Sequence, residues 1–399
     1  YERTPWDALK YLISQANYGG RVTDELDARL IQVYISQFFN PDVLAIQNYP
    51  LSELKTYVTP PPAALEAYKN IINDLPQEDD PRAFGQHPNA AIASQISNSL
   101  DLLRTLLSLA PQTAGEGGET PGEIVLKVAR SMKEQMPAVF RMKDIIEELS
   151  SRSDPDPLKT VLLQELDRYN KLLKVLQTSL AQLELGIQGL SVITPELEEV
   201  FNGMLSGQVP DMWAFAYPSL KPLGAWTRDL FLRIEQMDKW AKVALPKVFW
   251  FTGFTYPTGF LTALLQTCAR KTGEAIDALG WEFNVIPQEE NGISQYPKDG
   301  AYMKGIYLEG ARWDYEHGYL AEPLPMELFS PMPIIHFKPA MAKKKAPRGT
   351  YSCPMYMYPL RTGTRERPSF VLMVHLKSGQ QSSDFWIKRG TALLLSLAE

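Results

Sequence analysis

The sequence predicts an α+β chain, a long helical body followed by a smaller β module. Three observations carry that reading. Apolar residues recur every three or four positions through residue 272. Beyond Gly273 the recurrence shortens to every second position. Where the period changes, in VFWFTGFTYPTGFLTALLQTCARK, six aromatics fall between Phe249 and Phe260.

Residues 5–40 are expected to be helical with a break. Trp6, Leu9, Leu12 and Ile13 share one face, and Gly19-Gly20 stops the run. The helix restarts in RVTDELDARLIQVYISQFF, with Thr23 as its expected cap and Leu26, Leu30, Val33, Tyr34 and Phe38 as its buried stripe. Residues 41–90 read as proline-rich connections around one short helix, PPAALEAYKNIINDL. FGQHPNAAIASQISNSLDLLRTLLSL resumes a helical pattern, and TAGEGGETPGE reads as a flexible linker.

A long helix then follows from SDPDPLKTV onward. Its apolar positions run from 158 to 190 in steps of three and four. That predicts about 32 residues, roughly 48 Å of helix. TPELEEVFNGML has Thr194 as cap and Pro195 in the first turn. The next helix carries Leu223, Trp226, Leu230, Ile234, Met237 and Trp240 on one stripe. The aromatic segment is broken by Gly253, Pro257 and Gly259, so it is no membrane span, which needs about 20 unbroken apolar residues. It reads as a hinge leading into an amphipathic helix, with Trp250, Phe254 and Phe260 buried in the seam between body and β module.

After the hinge, WEFNVI, YMKGIYLEGARWD, PIIHFKPA, YSCPMYMY, SFVLMVHLKS and FWIKRGTALLLSL predict about six strands of an antiparallel barrel or sandwich.

No chemistry-bearing motif stands out. There is no phosphate loop, and GEGGETPG would repel phosphate with its glutamates. HExxH and GxSxG are missing, and the two cysteines, Cys268 and Cys353, cannot make a CxxC zinc site. They suit a reducing compartment and no disulfide scaffold. His87, His317, His336 and His375 are scattered. Acid pairs such as Glu147-Glu148 and Glu198-Glu199 read as solvated helix faces. The net charge of −6 gives no general basic field for nucleic acid. Lys343-Lys344-Lys345 with Arg348 is the one basic cluster, read first as a solvated loop between strands, with contact to an acidic partner surface as the alternative. The chain begins at Tyr1 without an initiator Met, shows no targeting segment, and reads as a piece of a longer or processed protein.

Several blocks together resemble the extreme C-terminal part of a dynein heavy chain. NYGGRVTDELDARL resembles the start of the small helical lid of the sixth AAA+ module. FGQHPNAAI resembles a motif after it. YPSLKPLGAW, FWFTGFTYPTGFLTALLQTCARK, IYLEGARWD, YSCPMYMY and WIKRGTALLLSL resemble successive blocks of the C-terminal domain. Order and spacing agree from Tyr1 to Glu399. FTYPTGFLTA and WIKRGTALL look more axonemal than cytoplasmic, and nearest to inner-arm dyneins. The departures are GTALL, where many relatives have GVALL, and the loop at 113–122.

The resemblance implies a lid at 1–92, a helical part of the C-terminal domain at 93–274, and a barrel-like β part at 275–399. It implies a non-catalytic segment that braces the AAA+ ring and regulates an ATP-driven motor of the axoneme. No cofactor is expected in the segment; ATP and Mg would sit in upstream modules. Implied partners are those modules, dynein intermediate and light chains, and axonemal microtubules, with no nucleic acid and no membrane. The competing reading is a self-contained enzyme or ligand-binding protein whose β barrel holds a small molecule, supported by the aromatics at 249–260 and 351–358.

Overall fold

The computed structural model describes residues 4–93 apart from 55, 78 and 79, positions 95, 96, 99, 100 and 103, and residues 120–395 apart from 215, 216, 218, 220, 343–345 and 358–368. The basic run Lys343–Lys345 and most of the loop at 113–122 therefore lie outside the described residues.

The N-terminal unit opens with α1 (Trp6–Tyr11), which widens into a π-helical stretch and tightens into a 3-10 turn at Gly19–Arg21. Helix α2 (Glu25–Phe38) follows. Its cap is Asp24, not Thr23: the Asp24 carboxylate accepts from the Leu26 and Asp27 amides. Asp can satisfy two orphan N–H groups with one oxygen and also suits the helix dipole. Helices α3 (Pro41–Ala45) and α4 (Leu65–Asn73) complete the unit. Among the described residues of this unit, Val33 and Ile35 are the buried apolar side chains.

The body comprises α5 (Pro121–Gln135), α6 (Met142–Ser150), α7 (Asp156–Ile187), α8 (Pro195–Ser206), α9 (Asp211–Ala214) and α10 (Leu223–Lys242). Thr120 and Glu123 form a reciprocal capping box at the start of α5. The stretch expected as linker thus ends in a helix start, and the T-x-x-E spacing in TPGE was its sequence signal. Helix α7 is 32 residues long and is the axle of the body. Leu162, Leu166, Leu173, Leu176, Leu180 and Leu183 on it are fully buried, and α5, α6, α8 and α10 pack around it. Asn170 projects into this core and pairs with both backbone groups of Phe140, at 2.8 and 3.0 Å, so its amide is satisfied. The helix stops at Ile187. Gly189 turns left-handed at φ 74°, and Leu190 is left 72% exposed although it continues the apolar stripe.

Strand β1 (Val248–Trp250) and helix α11 (Pro257–Thr272) lead into the β module. The remaining strands are β2 (Leu279–Ile286), β3 (Ala301–Lys304), β4 (Tyr307–Glu309), β5 (Arg312–Asp314), β6 (Tyr319–Ala321), β7 (Phe329–Pro331), β8 (Ile334–Met341), β9 (Thr350–Tyr356), β10 (Phe370–Lys377) and β11 (Ala392–Leu394), with α12 (Ser383–Lys388) before the last. One sheet runs β1-β3-β8-β2, a second β10-β9-β11-β4-β7, and β5-β6 is a separate hairpin.

Several expectations change here. The sheets are mixed, because β1–β3 and β11–β9 pair in parallel. Among the described residues no sheet closes into a barrel. The run YMKGIYLEGARWD holds three short strands, because Gly305 and Gly310 adopt φ values of 82° and 69° and turn the backbone between them. FWIKR, expected within a strand, lies in and just after α12, which is capped by the Ser382 hydroxyl.

The N-terminal unit is seated on the β module. The Arg29 guanidinium donates to the Ser352 carbonyl at 2.8 Å, Lys388 to the Gln37 side chain at 3.2 Å, and Arg389 to the Gly85 carbonyl at 2.9 Å. Asn89 reaches the carbonyls of Leu324 and Glu327.

The ending of α7 gives a direct test. Leu173→Ala should destabilise the protein by ~2–5 kcal/mol, because it empties a packed site. Leu190→Ala, on the same apparent stripe, should stay within ~0.5 kcal/mol. Urea unfolding of both variants checks this; equal effects would contradict the observed helix end.

Candidate functional site

The described residues contain no group of three or more His, Cys, Asp or Glu side chains able to hold a metal. Among them, no helix is long and apolar enough to cross a membrane. The histidines sit apart with separate partners. His87 Nδ1 accepts from the Asn89 amide, His317 meets Asp314, His336 meets the Asp299 carbonyl, and His375 meets the Ser352 hydroxyl. Both cysteines are free, and Cys353 is buried. The most elaborate arrangement is the aromatic seam.

The seam begins on α10 and ends on the β sheets. The Trp240 ring meets Phe249 edge-on with centroids 5.4 Å apart. Phe249 meets Phe260 at 4.7 Å, and Phe260 stacks on Phe254 at 4.3 Å. Phe251 reaches Phe337 of β8 at 5.7 Å, and Phe337 meets Trp281 and Phe283 of β2. Such pairs add ~0.5–1.5 kcal/mol each beyond the area they bury.

Of the three residues singled out from the sequence, Phe254 and Phe260 are buried, at 1% and 0% exposure. Trp250 is half-buried. Its ring lies against Gly305, where a Cβ would come within 2.3 Å of it. Gly305 is thus required by its backbone angle and by the ring beside it. Trp250 itself belongs to β1, whose parallel pairing with β3 stitches the helical side of the protein into the β sheet.

The segment between β1 and α11 holds a single 3-10 turn, Phe251–Gly253, and is buried from Phe251 to Phe254, so its backbone polar groups need side-chain partners. They come from two helices. Gln236 of α10 accepts from the Trp250 amide at 2.7 Å and donates to the Trp250 carbonyl at 3.1 Å. On α7, the Tyr169 hydroxyl donates to the Gly253 carbonyl at 3.0 Å. Glu165, also on α7, accepts from the amides of Thr255 and Tyr256 and from the Thr255 hydroxyl. Arg168 completes this corner, bonding Glu165 at 3.0 Å and lying 4.1 Å over the Tyr256 ring.

Beneath the seam lies a buried ion pair. Arg233 Nε donates to Asp229 Oδ2 at 2.8 Å, and the Tyr217 hydroxyl donates to the same oxygen. The guanidinium also lies over the Tyr217 and Trp250 rings, at 4.8 and 5.5 Å. Burial disfavours its charge, but the groups around it, Asp229 among them, more than offset this and its pKa is raised. Burial pushes the Tyr169 and Tyr217 phenols upward, so both remain protonated donors at neutral pH. An open cleft of about 560 Å³ borders the pair, lined by Lys221, Asp229, Trp250, Thr252, Tyr307 and Glu327 among others. The Asp229 carboxylate is already engaged by Tyr217, Arg233 and Lys221, the last at 3.8 Å. Through these contacts it ties Tyr217 and Arg233 together beneath the seam.

Sequence reasoning passed over Glu165, Asp229 and Arg233. Their signal was position: each falls on the buried stripe of its helix. Glu165 sits between Leu162 and Leu166 on α7, and Arg233 between Leu230 and Ile234 on α10. A charge on an apolar stripe marks a partnered buried group.

Two variants test the seam. Phe254→Ala should cost ~3–5 kcal/mol. Asp229→Ala strands the Arg233 charge and should also cost ~3–5 kcal/mol, whereas removing both charges together should cost less than the two single changes summed. Denaturant midpoints of the single and paired variants read this out; additive losses would show that Asp229 and Arg233 do not act as a unit.

Comparison with known proteins bears on the whole sequence. The family model of the dynein heavy chain AAA lid domain matches residues 1–90, and that of the C-terminal domain of the dynein heavy chain matches residues 96–395. The Dynein-1-beta heavy chain of the flagellar inner arm I1 complex of Chlamydomonas reinhardtii is 51% identical over 401 residues, covering 100% of this sequence. Dynein axonemal heavy chain 2 of Mus musculus and that of Homo sapiens are each 50% identical over 400 residues, again across 100% of it. In all three cases the sequence spans 9% of the relative's own length. The unit seated on the β module is the matched lid, the seam lies within the matched C-terminal domain, and the chain belongs to the dynein heavy chain family.

Proposed function

We propose that this chain is the non-catalytic C-terminal part of an axonemal dynein heavy chain of the inner-arm type. The parent protein would be an ATP-driven, minus-end-directed microtubule motor of cilia and flagella. Its ATP and Mg sites would lie in upstream AAA+ modules. This segment would brace the AAA+ ring and regulate how nucleotide state becomes movement. Its partners would be those modules, with intermediate and light chains and axonemal microtubules engaged through the whole motor.

The observation that carries the reading is the two-sided character of the lid. One side is bonded to the β module through Arg29, Gln37, Gly85 and Asn89. Elsewhere it leaves Leu44, Leu65 and Ile72 exposed, at 76%, 68% and 64%. A unit that buries so few of its own apolar groups needs a further partner. The other modules of the same heavy chain would supply one. The seam supports a bracing role, because side chains of α7 and α10 fix the strand and turn that enter the β module. A ligand held inside a β barrel has no comparable support, since the described sheets are open.

Two measurements test this. Titration calorimetry of the purified segment with Mg-ATP should show no stoichiometric binding; a saturable, Mg-dependent isotherm would overturn the non-catalytic reading. In the full heavy chain, truncation before Leu279 should change microtubule-gliding velocity while ATP hydrolysis persists. Unchanged gliding would remove the regulatory role.

A further inference from the structure

The lid is held to the β module by polar groups more than by apolar burial. Val33 and Ile35 are its buried apolar residues among those described. The connections across the joint are directional, and two residues carry most of them.

Asn89 is 7% exposed and uses its whole amide. Its Nδ2 donates to the carbonyls of Leu324 and Glu327, at 2.8 and 2.9 Å, and its Oδ1 accepts from the Met326 amide at 2.9 Å. The loop it grips is strained, because Met326 holds a φ of 66° without being glycine. Such a conformation persists where its surroundings enforce it.

Arg389, on the turn after α12, is the second point. Its side chain is 8% exposed. Nη1 donates to the Gly85 carbonyl at 2.9 Å and lies 3.4 Å from Glu53, both of the lid. Nη2 donates to Glu322 at 3.1 Å, and the guanidinium lies 4.7 Å over the Phe385 ring. The aliphatic part of Lys388 packs under Gly85. Arg389 Nε, like Arg29 Nε, is buried without a protein hydrogen-bond partner. Hydrogen bonds fix angles as well as distances, and a joint with little apolar burial opens at low free-energy cost.

We propose that Asn89 and Arg389 are positioning residues of a two-point latch that sets the tilt of the lid against the β module. The idea rests on the regulatory reading above and names the surface through which it would act. Lid movement driven from the ring side reaches the β module through the Leu324–Glu327 loop and the α12–β11 turn. The seam holds the β module to the body and does not depend on the latch.

The test is amide hydrogen exchange on the intact 399-residue protein, with α2 reporting the lid and β10 reporting the β module. Asn89→Ala and Arg389→Ala should each speed exchange in α2 by roughly tenfold or more, with β10 unchanged. Arg389→Lys should behave like Arg389→Ala, because a single ammonium cannot span Gly85, Glu53 and Glu322. Unchanged α2 exchange would overturn the latch. So would equal acceleration of α2 and β10, which is general unfolding, or full protection in Arg389→Lys, which leaves charge alone as the cause. The same variants in the full heavy chain then address regulation separately. A latch that opens by exchange with gliding velocity unaltered would leave the latch standing and remove the regulatory reading.

Discussion

The whole arrangement depends on burying a short connecting stretch of backbone whose one regular element is the 3-10 turn Phe251–Gly253. Between Trp250 and Tyr256 the backbone must pass from the helical body into the β module, and it passes through the core. The polar groups buried there need protein partners, since an unpaired buried amide or carbonyl costs about as much as a lost hydrogen bond. Gln236, Tyr169 and Glu165 provide partners from α10 and α7. That requirement explains why a long apolar helix carries a buried glutamate, and why the seam aromatics hold one geometry.

The aromatic and polar parts of the seam divide the work. Rings from Trp240 to Phe337 pack against one another across the seam and form part of the shared apolar core. They would tolerate several rotations of one unit against another. The ion pair and the backbone-directed side chains select one. Arg233 joins the two parts, since it bonds Asp229 and lies over two rings. A buried pair of this kind is weak evidence for stability but a strong constraint on geometry once made, because losing either partner strands the other.

The lid is attached on a different principle. The body and β module share a continuous apolar core, whereas the lid meets the β module through hydrogen bonds and guanidinium contacts. A shared core makes one rigid unit; a polar joint makes a unit that can be repositioned. Under the proposed function, such a joint would let the lid move against the β module without disturbing the shared core.

The sequence by itself determined the elements whose period is long and uninterrupted. Helix α7, the cap at Thr194, the change of period after Gly273 and the buried Phe254 and Phe260 were all legible, because amphipathic spacing is a local property. Capping signals at Thr120 and Ser382 were also present but outweighed by glycine and aromatic content. What the tertiary structure decided was pairing. The parallel registers of β1 with β3 and β11 with β9, the open sheets, and the seat of the lid on residues 324–327 and 388–389 join positions far apart in sequence. Nothing local in Asn89 or Arg389 distinguishes them from surface residues. Their role follows from the carbonyls that the fold brings to them, and spacing along a sequence holds no record of those.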